Sequence, residues 1–121
     1  MSGWVWVGVA LLSGLAAIGR FLVVALLSSR ITGVFPLGTL AVNTTGSLLL
    51  GLLAGLAIEG DALVLIGAAT LGSYTTFSTW MLETNRLAED GKTLAAAINI
   101  LLSLSVGIGA VALGRAIGAH I

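Results

Sequence analysis

Cysteine is absent from the chain, which excludes a disulfide framework, thiol chemistry and any cysteine-ligated metal. Charge is scarce too: five basic and five acidic residues make up 8% of 121 residues, where soluble domains carry about 25%. A chain this poor in charge and 58% hydrophobic cannot cover a globule with a wetted surface. It reads as an all-α integral membrane protein, a single four-helix membrane domain over residues 1–121. Net charge is zero and no basic run is present, so nucleic acid is excluded as a partner. No nucleophile–base pair or ligand cluster is present either, and no enzyme is expected. The single histidine, His120, lies in the tail and reads as solvated. No Asp, Glu, Lys or His lies in the middle of an apolar segment, so the intramembrane carboxylate of a proton-coupled cation transporter is missing. The opening Met1, Ser2 and Gly3 carry no positive n-region, and the apolar run behind them exceeds a cleaved h-region. The first helix is therefore expected to stay in the mature protein.

What the chain does have is apolar length. Four segments reach the roughly 20 residues a membrane crossing needs: about 4–27, 36–58, 62–87 and 93–118. Trp4 and Trp6 open the first as interfacial anchors. Ser28, Ser29, Thr32 and Gly33 mark the first link, and Pro36 fits the first turn of the second helix. Glu59 to Asp61 form an acidic turn, and Glu83 with Arg86 reads as a surface pair three residues apart. Lys and Arg are spread with little bias between the two sides, so no single orientation is favoured. Small residues recur every fourth position at Ser47, Gly51 and Gly55, and again at Ala110, Gly114 and Gly118. Such faces let helix backbones approach closely in lipid.

The third segment departs from this pattern at its centre. Residues 71–80 hold a glycine, five Ser and Thr hydroxyls and three aromatic rings where a membrane helix would carry Leu, Val and Ala. Hydroxyl side chains compete with the backbone ladder, and irregular backbone at membrane depth persists only when buried or lining a cavity. The stretch predicts a helix break near the bilayer midplane with a polar path around it. Asn43, with Thr39 one turn before it, carries an amide that faces either the path or a neighbouring helix. Asn99, Ser103 and Gly107 make a second polar stripe with the same two readings. Arg20 is the only ionisable group of the first segment and lies well inside it. Four short helices enclose little interior, so the path calls for a second subunit.

These motifs resemble one family. The run 38–43 with Gly46 and Ser47, the run 72–79, and the run 17–21 around Arg20 are similar to the signatures of the CrcB/Fluc fluoride channels, in the same order and over essentially the whole chain. The resemblance implies an antiparallel, dual-topology homodimer with four transmembrane helices per protomer. It would pass fluoride passively out of the cell across the plasma membrane of a prokaryote, relieving fluoride toxicity. The resemblance also implies a fluoride pathway along Asn43, Phe77, Trp80, Ser103 and Thr39, with Arg20 near a vestibule, and a structural sodium ion on the backbone carbonyls of Gly72 and Thr75. Trp80 stands where the family has a second phenylalanine, Asn99 where it has a tyrosine, and Ala16 where glycine is common. An indole adds an N–H donor to its positive ring edge. If that donor faces the path, fluoride sits in too deep a well, and Trp80→Phe conducts at least as fast as the parent. The alternatives are a dual-topology small multidrug-type exporter, whose first-helix Glu is absent here, and a non-transporting membrane assembly subunit, which leaves the polar centre of the third helix without a purpose.

Overall fold

The computed structural model describes residues 1–31 and 33–121; Thr32, read above as part of the first link, lies outside the described residues. Helix α1 spans Gly3–Arg30 and α2 spans Leu37–Gly55. The third segment opens with a short turn, Gly60–Ala62, continues as a π-helical stretch, Leu63–Leu71, and closes with Gly72–Tyr74; together these form α3. Helix α4 is Phe77–Glu89 and α5 is Thr93–Ala119. Four stretches are long and apolar enough to cross a membrane: Gly3–Arg30, Leu37–Gly55, Gly60–Glu89 and Thr93–Ala119. The chain is all-helical and multi-pass.

Two helix ends differ from the sequence expectation. Helix α1 runs three residues beyond Leu27 to Arg30, whose cation sits in the last turn beside free carbonyls. Helix α2 stops three residues before Ile58. Ala57 takes a left-handed φ of 55°, the Ile58 amide donates to Leu53 at 3.1 Å and the Ala57 amide to Ala54 at 3.1 Å. This is the Schellman closure usually built on glycine, and Ala57 adopts it at a cost of about 1 kcal/mol. Because the residue is alanine, the sequence conceals the stop.

The chain is held together by close backbone approach more than by bulky side chains. The two small-residue faces meet each other: a Cβ on Gly51 would strike the Val111 carbonyl, one on Gly55 the Arg115 carbonyl, and one on Gly114 the Leu48 carbonyl. Helices α2 and α5 therefore pack at a distance only glycine permits, where van der Waals contact and not the hydrophobic effect supplies the attraction. Gly114→Ala should destabilise the protein by about 1–3 kcal/mol, because the atoms in the way are backbone. Thermal unfolding in detergent checks it, with Gly109→Ala as the control: a Cβ there meets nothing within 4 Å.

Leu11, Leu15, Phe21 and Leu22 on α1 and Leu101 and Ile108 on α5 are exposed. Such apolar outer faces suit lipid.

Candidate functional site

The helix break falls half-way along the third crossing, at Thr75 and Thr76. Thr75 has φ −84° and ψ 158°, and Thr76 has φ −147° and ψ 120°, both extended. Two extended residues in an apolar setting leave several peptide groups without helical partners, and side chains supply partners to some of them. Asn43 on α2 supplies the first pair: its Nδ2 donates to the Thr76 carbonyl at 3.0 Å, and its Oδ1 accepts the Thr76 amide at 2.8 Å. Thr76 then starts α4 with its own hydroxyl, which accepts the Thr79 amide at 3.2 Å as an N-cap. Arg20 on α1 closes the other side, its Nη1 donating to the Ser73 carbonyl at 3.1 Å and the Thr75 carbonyl at 3.2 Å. A cation at the C-terminal end of α3 is where the helix dipole favours one. Gly46 permits the approach of α2, since a Cβ there would collide with the Thr75 methyl.

Upstream of the break the ladder is already altered. The Gly72 amide donates to Gly67, five residues back, and the Thr70 hydroxyl donates to the Leu65 carbonyl at 2.7 Å. The Ser13 hydroxyl donates to the Ala69 carbonyl at 3.2 Å from α1. A nine-residue π-helical stretch is unusual, and π geometry is often found next to functional sites. Nothing in its apolar sequence announces it.

A cleft of about 1060 Å³ opens beside the break, lined among others by Asn43, Gly72, Thr75, Phe77, Trp80 and Ser103. Six of the eight residues singled out from sequence are thus brought together. The other two are not on its wall. Arg20 reaches the break from α1. Thr39 is 1% exposed and lies in a separate cleft of about 610 Å³ with Arg86 and Lys92, where its hydroxyl donates to the Glu83 carboxylate. Glu83 therefore bonds across to α2, where the sequence reading had it as a surface partner of Arg86. Its signal was positional: three residues after Trp80, it shares the inward side of α4.

Phe77 projects into the open, 70% exposed, and meets Trp80 edge to face with ring centroids 5.6 Å apart and planes at 85°. The Trp80 indole N–H does not face the cleft as a free donor: it donates to the Asn99 carbonyl at 3.2 Å. That corrects the expectation that the indole hydrogen is available to an anion. Asn99, 1% exposed, donates through Nδ2 to the Thr84 hydroxyl at 2.8 Å, which donates to the Trp80 carbonyl at 2.8 Å. The stripe on the last helix therefore splits, with Asn99 turned to α4 and Ser103 and Gly107 to the cleft. The Ser103 Oγ is buried and has no hydrogen-bond partner among the described residues.

Among the described residues no group of three His, Cys, Asp or Glu is placed to hold a metal. Neutral carbonyls are the available ligands for a cation. The amide that would close the helix on Gly72 is the Thr76 amide, which Asn43 takes, so the Gly72 carbonyl is left without its helical donor. The Thr75 carbonyl accepts from Arg20 and keeps a second lone pair. These two oxygens are of the hard, neutral kind that a monovalent cation takes as ligands.

The family described as "CrcB-like protein, Camphor Resistance (CrcB)" matches residues 7–115. The chain is 50% identical over 111 residues to the fluoride-specific ion channel FluC 2 of Mycobacterium bovis, covering 92% of this chain and 88% of that one. It is 45% identical over 121 residues to the fluoride-specific ion channel FluC 1 of Symbiobacterium thermophilum, covering 95% and 96%. With FluC 2 of Haloarcula marismortui it shares 50% identity over 78 residues, 62% of this chain and 66% of that one.

Proposed function

The chain belongs to the CrcB family of fluoride-specific ion channels, and on that footing we propose that the helix break and the cleft beside it form the fluoride path, completed by a second copy of the chain. The protein is a fluoride channel, not an enzyme. The observation that carries the assignment of the path is the break at Thr75 and Thr76, held open by the Asn43 amide on one side and the Arg20 guanidinium on the other. Arg20 and the N-terminal end of α4 both add positive potential where an anion would shed its water. Ring edges of Phe77 and Trp80 and the hydroxyl of Ser103 replace that water on the cleft wall. Thr39 with Glu83 lies at a second opening of the same protomer. Fluoride moves down its own gradient, outward across a prokaryotic plasma membrane when internal fluoride is high. Release of fluoride from loaded liposomes tests this; neither a multidrug-type exporter nor an assembly subunit would empty them.

The second copy lies antiparallel to the first. Support comes from the weak Lys and Arg bias of the sequence and from an open cleft whose wall is largely apolar. With Gly60 on an exposed turn, a Gly60→Cys protein in cells should be labelled by an impermeant thiol reagent in only part of the population. Complete labelling from one side would defeat the antiparallel arrangement.

A sodium ion between the two breaks would be held by the carbonyls of Gly72 and Thr75 from each protomer. When bound it supplies charge to gather helix ends that carry partial negative charge. Dimer stability in detergent should fall when sodium is replaced by a large organic cation; a dimer indifferent to the exchange would remove sodium from the account.

A further inference from the structure

Ser103 is the one side chain whose buried polar atom has no partner among the described residues. Such an atom calls for an explanation, and the neighbouring bonds supply one. A serine inside a membrane helix ordinarily turns its hydroxyl back onto the carbonyl four residues earlier. For Ser103 that carbonyl belongs to Asn99. A carbonyl oxygen has two acceptor positions. One is used by the α5 ladder, which closes Asn99 on the Ser103 amide. The other is filled by the Trp80 indole N–H at 3.2 Å. The hydroxyl of Ser103 is therefore displaced from its usual acceptor, and Ser103 is one of the residues that line the cleft with Phe77 and Trp80.

We propose that Trp80 is a positioning residue for Ser103: by spending its own N–H on the Asn99 carbonyl, the indole denies that acceptor to Ser103 and leaves the serine hydroxyl as the donor offered to fluoride. The indole keeps only C–H edges toward the cleft. The Asn99 side chain secures the exchange, because its bond to Thr84, and that of Thr84 to the Trp80 carbonyl, hold α4 and α5 in register. The strong donor at this level of the path is thus a small hydroxyl able to rotate with the ion, and not a fixed ring N–H. A rotating hydroxyl binds and releases, which conduction requires. The inference rests on the reading of the cleft as the fluoride path. It reverses the expectation for Trp80→Phe, since phenylalanine frees the Asn99 carbonyl and Ser103 returns to it.

A double-mutant cycle tests the inference, with fluoride efflux from liposomes measured per folded protein for the parent, Ser103→Ala, Trp80→Phe and the double variant. A hydrogen bond to an ion is lost in each single variant, so each should slow efflux about tenfold. The double variant should be no slower than either single, because both remove the same donor. Effects that multiply, to about a hundredfold in the double variant, would overturn the proposal. Should phenylalanine at this position prevent folding, benzothienylalanine keeps the bicyclic ring, lacks the N–H and takes its place in the cycle. The indole N–H resonance of Trp80, identified by its loss in Trp80→Phe, gives a second readout. It should stay fixed as fluoride is titrated into the parent, and a fluoride-dependent shift would show the indole itself as the donor and refute the exchange. If neither single variant changes efflux while the resonance stays fixed, the reading of the cleft as the path fails, and the proposal falls with it although the bond between Trp80 and Asn99 stands.

Discussion

A Phe77→Ile channel should pass almost no fluoride while folding as well as the parent. Phe77 is 70% exposed in the protomer and touches Trp80 edge to face, so little packing inside the protomer depends on it. Its ring edge carries positive potential. An anion stripped of water beside that edge gains an attraction comparable with that of a cation over a ring face, about 2 kcal/mol or more when desolvated. Isoleucine retains the bulk and loses the edge. Flux should fall at least about thirtyfold, the rate equivalent of that energy if it is lost wholly in passage. Liposome efflux together with size-exclusion chromatography separates the outcomes. An intact Phe77→Ile protein that conducts normally would remove the ring from the path.

The second large effect is expected at Asn43. The side chain serves two Thr76 backbone groups at once, donating at 3.0 Å and accepting at 2.8 Å. Asn43→Asp keeps the shape and the accepting oxygen but turns the donor into a second acceptor facing the Thr76 carbonyl. That sets a carboxylate oxygen against the Thr76 carbonyl oxygen, two acceptors with no hydrogen between them, and places a negative charge beside an anion path. Like charges about 4 Å apart repel by about 4 kcal/mol at an effective dielectric constant of about 20, so flux should drop by more than about tenfold at neutral pH. A protonated acid both donates and accepts as the amide does. Lowering the pH should therefore recover flux in Asn43→Asp relative to the parent, after subtraction of leakage from protein-free liposomes. A folded Asn43→Asp protein conducting like the parent at neutral pH would leave Asn43 with packing alone. In the structure Asn43 both bonds to Thr76 across the helices and lines the cleft, so the interhelical role and the proposed pathway role fall on one amide.

How far the sequence foretold this site depends on the kind of signal each residue carries. The crossings were legible because about 20 apolar residues in a row have few other uses. The break was legible because Thr75, Thr76 and their neighbours are hydroxylated where lipid calls for Leu. The pairing of α2 with α5 was foreshadowed by Gly51, Gly55, Gly114 and Gly118, although glycine spacing alone does not say which faces meet. The π-helical stretch was not legible, because Leu63–Leu71 is apolar whichever ladder it forms. The stop at Ala57 was hidden by a residue that rarely adopts positive φ. The partners of Trp80, Asn99 and Glu83 were hidden for a different reason. A side chain with one donor and several possible acceptors is assigned only by the packing of α4 against α2 and α5. Residue type told which groups need partners; the fold decided which partner each one has.

The chain should conduct fluoride, and not chloride, through a path built around the Thr75–Thr76 break. Purified protein in liposomes loaded with equal fluoride and chloride, with ionophore added to carry the counter-ion, measures that claim with two ion-selective electrodes. Fluoride should be released rapidly, chloride retained as in protein-free vesicles, and the fluoride signal lost in the Phe77→Ile protein. Release of both anions together, or retention of both by a folded protein, would contradict it.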